Sequence, residues 1–175
     1  MRTFGERETY RAPDVWFGQV DVELPDGERV WEPVLRLHQV TVMALVDAQE
    51  RVLLARRHRF VADRWGWELP GGPVDEGEDP DQAAARIVED SAGYRAGRVE
   101  RLIAFQPMAD TVGCEHVVFT GREPVQVGDP VEGGRVEWVP LASVPGLIAD
   151  GQVWSAATLL GLMRLVAMSA PGVSG

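Results

Sequence analysis

GGPVDEGEDPDQAAARIVEDSAGY, residues 71–94, is the stretch whose reading decides the fold. Asp79-Pro80-Asp81-Gln82 places an N-cap, a proline at the first helical position and a glutamine three residues after the cap. Ala83 to Ala92 continue the helix, and Gly93 supplies the C-cap that ends it. Near the end of this helix, residues 87, 90 and 91 share one face, because positions three and four apart are neighbours. They are Ile87, Asp90 and Ser91, so the face carries a single carboxylate.

Strands are expected on both sides of the helix. VWFGQVDVELP (15–25) alternates, PDGE (25–28) is a turn, and RVWEPVLRL (29–37) is a second strand, with Pro33 suited to an edge position or a bulge. QVTVMALV (39–46), the turn DAQE and RVLLARR (51–57) read as a hairpin with a buried first strand. Further strands are expected at 98–105, 115–121 and 135–139, a short helix at 141–150 and a longer one at 154–168. Many strands with two substantial helices imply an α+β architecture with a mixed sheet between helices.

Composition narrows the function. The chain of 175 residues has a formal net charge of −10 and draws all 17 basic side chains from arginine. That balance argues against non-specific nucleic-acid binding, which needs clustered cations, yet a local arginine group still captures a small anion. One cysteine, Cys114, excludes an internal disulfide and any multi-cysteine zinc site. No apolar run approaches the ~18 residues of a membrane span, and the polar first residues lack a signal-peptide core. A cytoplasmic protein with no membrane partner is expected. ARRHRF (55–60) puts three arginines and His58 at a strand end, where guanidinium forks suit phosphate. Trp65 and Trp67 follow as surfaces on which a base or ribose could stack.

With its flanking strands, the opening stretch resembles the Nudix box. Gly72 is followed six positions later by Glu78, eight later by Arg86 and seven later by Gly93, with Tyr94 in the apolar closing position. WELPGG, VEWVPLASV and DGQVWSAATLLGL extend the similarity to the ADP-ribose pyrophosphatase branch, over about residues 18 to 165. The resemblance implies a Nudix fold: an α/β/α sandwich with a mixed β-sheet, preceded by an N-terminal antiparallel sheet. It divides the chain into dimer-forming strands at 1–36, a Nudix domain at 37–170 and a disordered tail at 171–175. It also implies a homodimer acting on a small phosphorylated substrate.

The resemblance assigns residues as well. Gly72, Arg86 and Gly93 take structural places in the box, and Arg86 orients the helix carboxylates, with Asp90 at i+4 as its expected partner. Mg²⁺ or Mn²⁺ is expected on the Gly71 carbonyl, Glu78 and Asp90. Ile87 and Ser91 stand where the family places glutamates, so the site is a weakened one. Glu115 and Glu132 are the loop carboxylates expected to act in catalysis, and Arg56, Arg57 and Trp67 are expected to bind substrate. The activity implied is cleavage of a nucleoside diphosphate linked to another moiety, ADP-ribose-like. The helix face keeps two alternatives open: an inactive nucleotide-binding or regulatory protein, and a scaffold reused for other chemistry on a phosphorylated metabolite.

Overall fold

The helix expected after Asp79 forms as α1 (Pro80–Ala92), with Pro80 in its first turn. It stops where Gly93 turns left-handed at φ 73° and donates its N–H to the Glu89 carbonyl. A side chain at Gly93 would run into the Gly128 carbonyl, so packing and backbone conformation both require glycine there. The structure, a computed structural model, describes residues 2–131 and 135–169. Glu132 and the expected tail at 171–175 lie outside the described residues.

The chain divides into two units. The first comprises residues 1–39 and 105–115. In it β1 (Arg2–Ala12), β2 (Val15–Glu23) and β3 (Arg29–Leu37) form an antiparallel sheet, and β10 (Val112–Gly113) adds in parallel to β3. Because β10 meets β3 only at Leu35 and Arg36, Pro33 lies where β3 behaves as an edge. The turn between β2 and β3 is set by Gly27, at φ 88°. β1 was not expected from the sequence. Nearly all of its side chains are exposed, Phe4 and Tyr10 among them, so no alternation of burial marks it.

The second unit comprises residues 40–104 and 116–175. One of its sheets has the order β7-β4-β11-β9, built from β7 (Gly71–Pro73), β4 (Val40–Leu45), β11 (His116–Arg122) and β9 (Arg98–Phe105). Another has the order β13-β5-β6, from β13 (Arg135–Pro140), β5 (Arg51–Arg59) and β6 (Arg64–Glu68). β8 (Tyr94–Arg95) and β12 (Val125–Gln126) make a small ribbon. After β13 come a 3₁₀ turn (Leu141–Ser143), α2 (Val144–Ala149) and α3 (Ala156–Ser169). No helix among the described residues is long and apolar enough to cross a membrane.

β4 and β5 do not form the expected hairpin; they meet at the single bridge Val46–Val52 and then part into different sheets. The intervening turn is nevertheless firm. The Asp47 carboxylate accepts the backbone N–H of Gln49 and Arg51 and the Nε–H of Arg51. Alternation along β11 sorts the core into two layers. Val117 and Phe119 join Met43, Leu45, Leu53 and the α1 residues Ala84, Val88 and Ala92. Val118 faces the other way and meets α3 at Gly161, where an added Cβ would stand about 3.0 Å from its methyl. Helices therefore cover both faces of the β4–β11 sheet, as the α/β/α expectation requires.

Candidate functional site

The end of β5, the start of β6, β7 and the outer face of α1 enclose a cavity of about 560 Å³ in the second unit. β5 contributes Arg56, Arg57, His58 and Arg59; β6 contributes Trp65; β7 contributes Gly72 and Pro73; α1 contributes Arg86, Ile87, Asp90 and Ser91. Asp90 is the only carboxylate among the described lining residues. In a chain of net charge −10, this is a concentrated patch of positive charge.

Two of the four arginines are already committed. Arg59 donates Nε–H and Nη2–H to the buried Glu68 carboxylate, at 3.0 and 2.5 Å. Arg86 donates Nε–H and Nη2–H to the two oxygens of Glu78, at 2.8 and 2.6 Å, and lies 3.3 Å from Asp75. The expected pairing of Arg86 with Asp90 is replaced by this one, because Glu78 arrives from the preceding loop with a two-pronged fit. Arg56 and Arg57 make no ion pair among the described residues. The Nη1 of Arg56 is buried without a hydrogen-bond partner there. Its guanidinium lies 5.5 Å from the centre of the Trp67 ring, and Arg135 of the neighbouring strand lies 5.7 Å from the same ring.

Register explains which tryptophan is available. Trp67 stands opposite Arg56 and Trp65 opposite His58, so all four share one face of the sheet. Trp67 is 7% exposed beneath its two arginines and does not line the cavity. Trp65, 55% exposed, does. The order of strands across the sheet, which brings Arg135 beside Arg56, decides this and is invisible in a local pattern.

The residues expected to hold Mg²⁺ or Mn²⁺ do not fit such an ion. Among the described residues no group of three or more His, Cys, Asp or Glu side chains is placed to hold a metal. Glu78 is occupied by Arg86, and neither it nor Gly71 lines the cavity. The Ser91 hydroxyl donates to the Ile87 carbonyl at 2.6 Å, which ties it back onto its own helix. Ile87 faces Gly72, where an added Cβ would meet its Cδ1 at 3.4 Å. A hard cation that wants several oxygen ligands finds only the Asp90 carboxylate on this face. Glu115 belongs to the first unit, where it accepts a hydrogen bond from the Gln39 side chain at 2.5 Å.

The Arg86–Glu78 pair has a pH signature. The hydrogen bonds from Arg86 outweigh desolvation and hold the Glu78 carboxyl below the ordinary value of 4.5. A carboxyl lowered in this way contributes its stability in full above the unfolded value and loses it as pH falls through the lower folded value. In a carboxyl-detected NMR titration, Glu78 is expected to titrate below the ordinary glutamate value of 4.5. Arg86→Ala should move it back towards that value.

Sequence patterns missed two features here: the buried Glu68 anchor of Arg59 and the contact of Asp63 with His58. Glu68 had a readable signal, since an acid in an otherwise buried strand segment needs a cation. Asp63 had none, because its role depends on a left-handed turn conformation, at φ 46°.

Comparison with known proteins agrees with this architecture. The sequence model of the NUDIX domain matches residues 36–160. The chain is 36% identical over 167 residues to a CMP-5′-(N-acetyl-N-hydroxy-3-aminopropyl)phosphonate hydrolase of Streptomyces rubellomurinus, covering 94% of this chain and 81% of that protein. It is 26% identical over 106 residues to an ADP-ribose pyrophosphatase of Bacillus subtilis, covering 57% of each. A solved ADP compounds hydrolase superposes with a TM-score of 0.81 at 18% identity, over 95% of this chain and 92% of that one, a likeness of fold.

Proposed function

The chain belongs to the Nudix family of hydrolases, and on that premise we propose that it cleaves the phosphorus anhydride joining a nucleoside 5′-monophosphate to a second small moiety. The observation that carries this reading is the pair of uncommitted guanidiniums, Arg56 and Arg57, in the wall of the cavity. A doubly phosphorylated bridge supplies the anionic oxygens that these groups lack, and bidentate forks match its geometry. Trp65 offers the base or ribose an exposed aromatic face. Arg59 and Arg86, fixed by Glu68 and Glu78, frame the cavity.

The Streptomyces relative spans nearly the whole chain, which supports a CMP-linked phosphonate as the first substrate to try. ADP-ribose is the second, supported by the shorter match to the Bacillus pyrophosphatase. Charge neutralisation at the phosphates falls to guanidinium groups, because the α1 face offers one carboxylate where the family places three glutamates. The resemblance and the exposed Phe4, Tyr10 and Phe17 of the first unit also support a homodimer, to be checked by light scattering. A nucleotide-linked substrate suits a cytoplasmic site of action.

The test is incubation of the full chain with CMP-linked phosphonates, ADP-ribose and related anhydrides, following release of the nucleoside monophosphate. Release from one of them supports the reading. The altered helix face favours one second reading, in which the cavity binds a nucleotide without cleaving it. Saturable binding with no release over prolonged incubation would establish that reading instead.

A further inference from the structure

We infer that His58, held by Asp63, is the general base that takes the proton from the attacking water. This inference rests on the hydrolytic reading of the same cavity. Hydrolysis needs a group that accepts a proton from water within hydrogen-bond reach of the reacting phosphorus. Among the described lining residues only His58 and Asp90 have a lone pair suited to this, since arginine stays protonated. Asp90 is an exposed helix side chain that no hydrogen bond fixes among the described residues.

His58 is held from two sides. Its Nε2–H donates to the Asp63 carboxylate at 3.0 Å, and its ring lies 5.3 Å from that of Trp65, tilted by 43°. A carboxylate only accepts, so this contact places a proton on Nε2, and in the neutral tautomer Nδ1 is then the nitrogen that carries the lone pair. Asp63 reaches His58 because the turn after β5 carries it into the left-handed region, at φ 46°, a conformation aspartate tolerates better than most residues. The turn is closed by the Ala62 and Asp63 N–H groups, which donate to the carbonyls of Arg59 and Phe60. Arg57 and Arg59 flank His58 on its own strand, Arg64 follows Asp63, and Arg86 and Asp90 share the cavity from α1.

The step balances without a further reactant. As the water oxygen bonds to phosphorus, one water proton passes to Nδ1. The bond from phosphorus to the bridging oxygen breaks, and its electron pair leaves with the phosphonate or phosphate. The imidazolium then returns its proton to solvent. Asp63 acts through His58 as a positioning residue.

The experiment uses the full chain with the CMP-linked phosphonate or ADP-ribose that it cleaves. His58→Ala should lower kcat by about 100-fold while KM stays within about threefold, and added imidazole should restore part of the loss. Asp63→Ala should lower kcat by about tenfold, and the double variant should be no slower than His58→Ala alone, as expected of residues acting in series. A His58→Ala protein that keeps kcat within about threefold overturns the assignment. So does a folded, slow His58→Ala protein that imidazole leaves unchanged. An unsubstituted protein that releases no nucleotide overturns the hydrolytic reading together with this inference, whereas an active one with an active His58→Ala overturns only the inference.

Discussion

Arg56→Ala should weaken binding of a nucleoside diphosphate by about 50-fold, the equilibrium equivalent of about 2.3 kcal/mol for a lost charge-assisted contact. The size of the effect follows from the state of the guanidinium before any ligand arrives. Its Nη1 is buried without a partner among the described residues, and its plane is steadied by the Trp67 ring. A phosphate oxygen that reaches this guanidinium satisfies a group that already bears part of the cost of desolvation, and little conformational freedom is lost on binding. Arg56→Lys should recover only part of the affinity, because an ammonium lacks the fork and the planar contact with the indole. Isothermal titration with a methylene-bridged nucleoside diphosphate measures all three proteins. A loss of less than about threefold in Arg56→Ala would remove this residue from the phosphate site.

The second large effect is a gain. Ile87→Glu with Ser91→Glu should create cation binding on α1 by placing three carboxylates at positions 87, 90 and 91, on one face. Affinity for Mn²⁺ should rise by about 100-fold over the unsubstituted chain, since oxygen-ligand charge is what tightens such sites. Without the ion, the three like charges should lower the melting temperature, and Mn²⁺ should reverse that loss. Electron paramagnetic resonance of Mn²⁺ reads the affinity directly. Equal, weak affinity in both proteins would mean that the surrounding cavity no longer accommodates a cation even with its carboxylates restored.

How much of this was readable before the structure depends on the distance over which each feature is decided. The box helix was legible from Asp79 to Gly93, because cap, proline and terminal glycine act within one segment. Its missing carboxylates were legible too, since face and spacing are local properties. β1 was not, because a strand exposed on both faces carries no alternation of burial. The parting of β4 from β5 was also hidden: an apolar run announces a strand but not the sheet in which it pairs. In the site, ARRHRF was legible as an arginine-rich strand end, and Arg56 and Arg57 line the cavity. That Trp65 rather than Trp67 lines the cavity needed β13, which brings Arg135 over the buried Trp67 ring from 68 residues away in sequence, 135 minus 67. The engagement of Glu78 by Arg86 needed the loop geometry that separates them by eight positions.

The central claim is that guanidinium groups on β5, rather than a cation held by α1, neutralise the phosphates of the bound substrate. Its most direct test is the affinity of the full chain for a methylene-bridged nucleoside diphosphate, measured once with EDTA and once with Mg²⁺. The account predicts dissociation constants that agree within about threefold. A dissociation constant at least about tenfold weaker in EDTA would contradict it and return the phosphate-binding role to a metal ion.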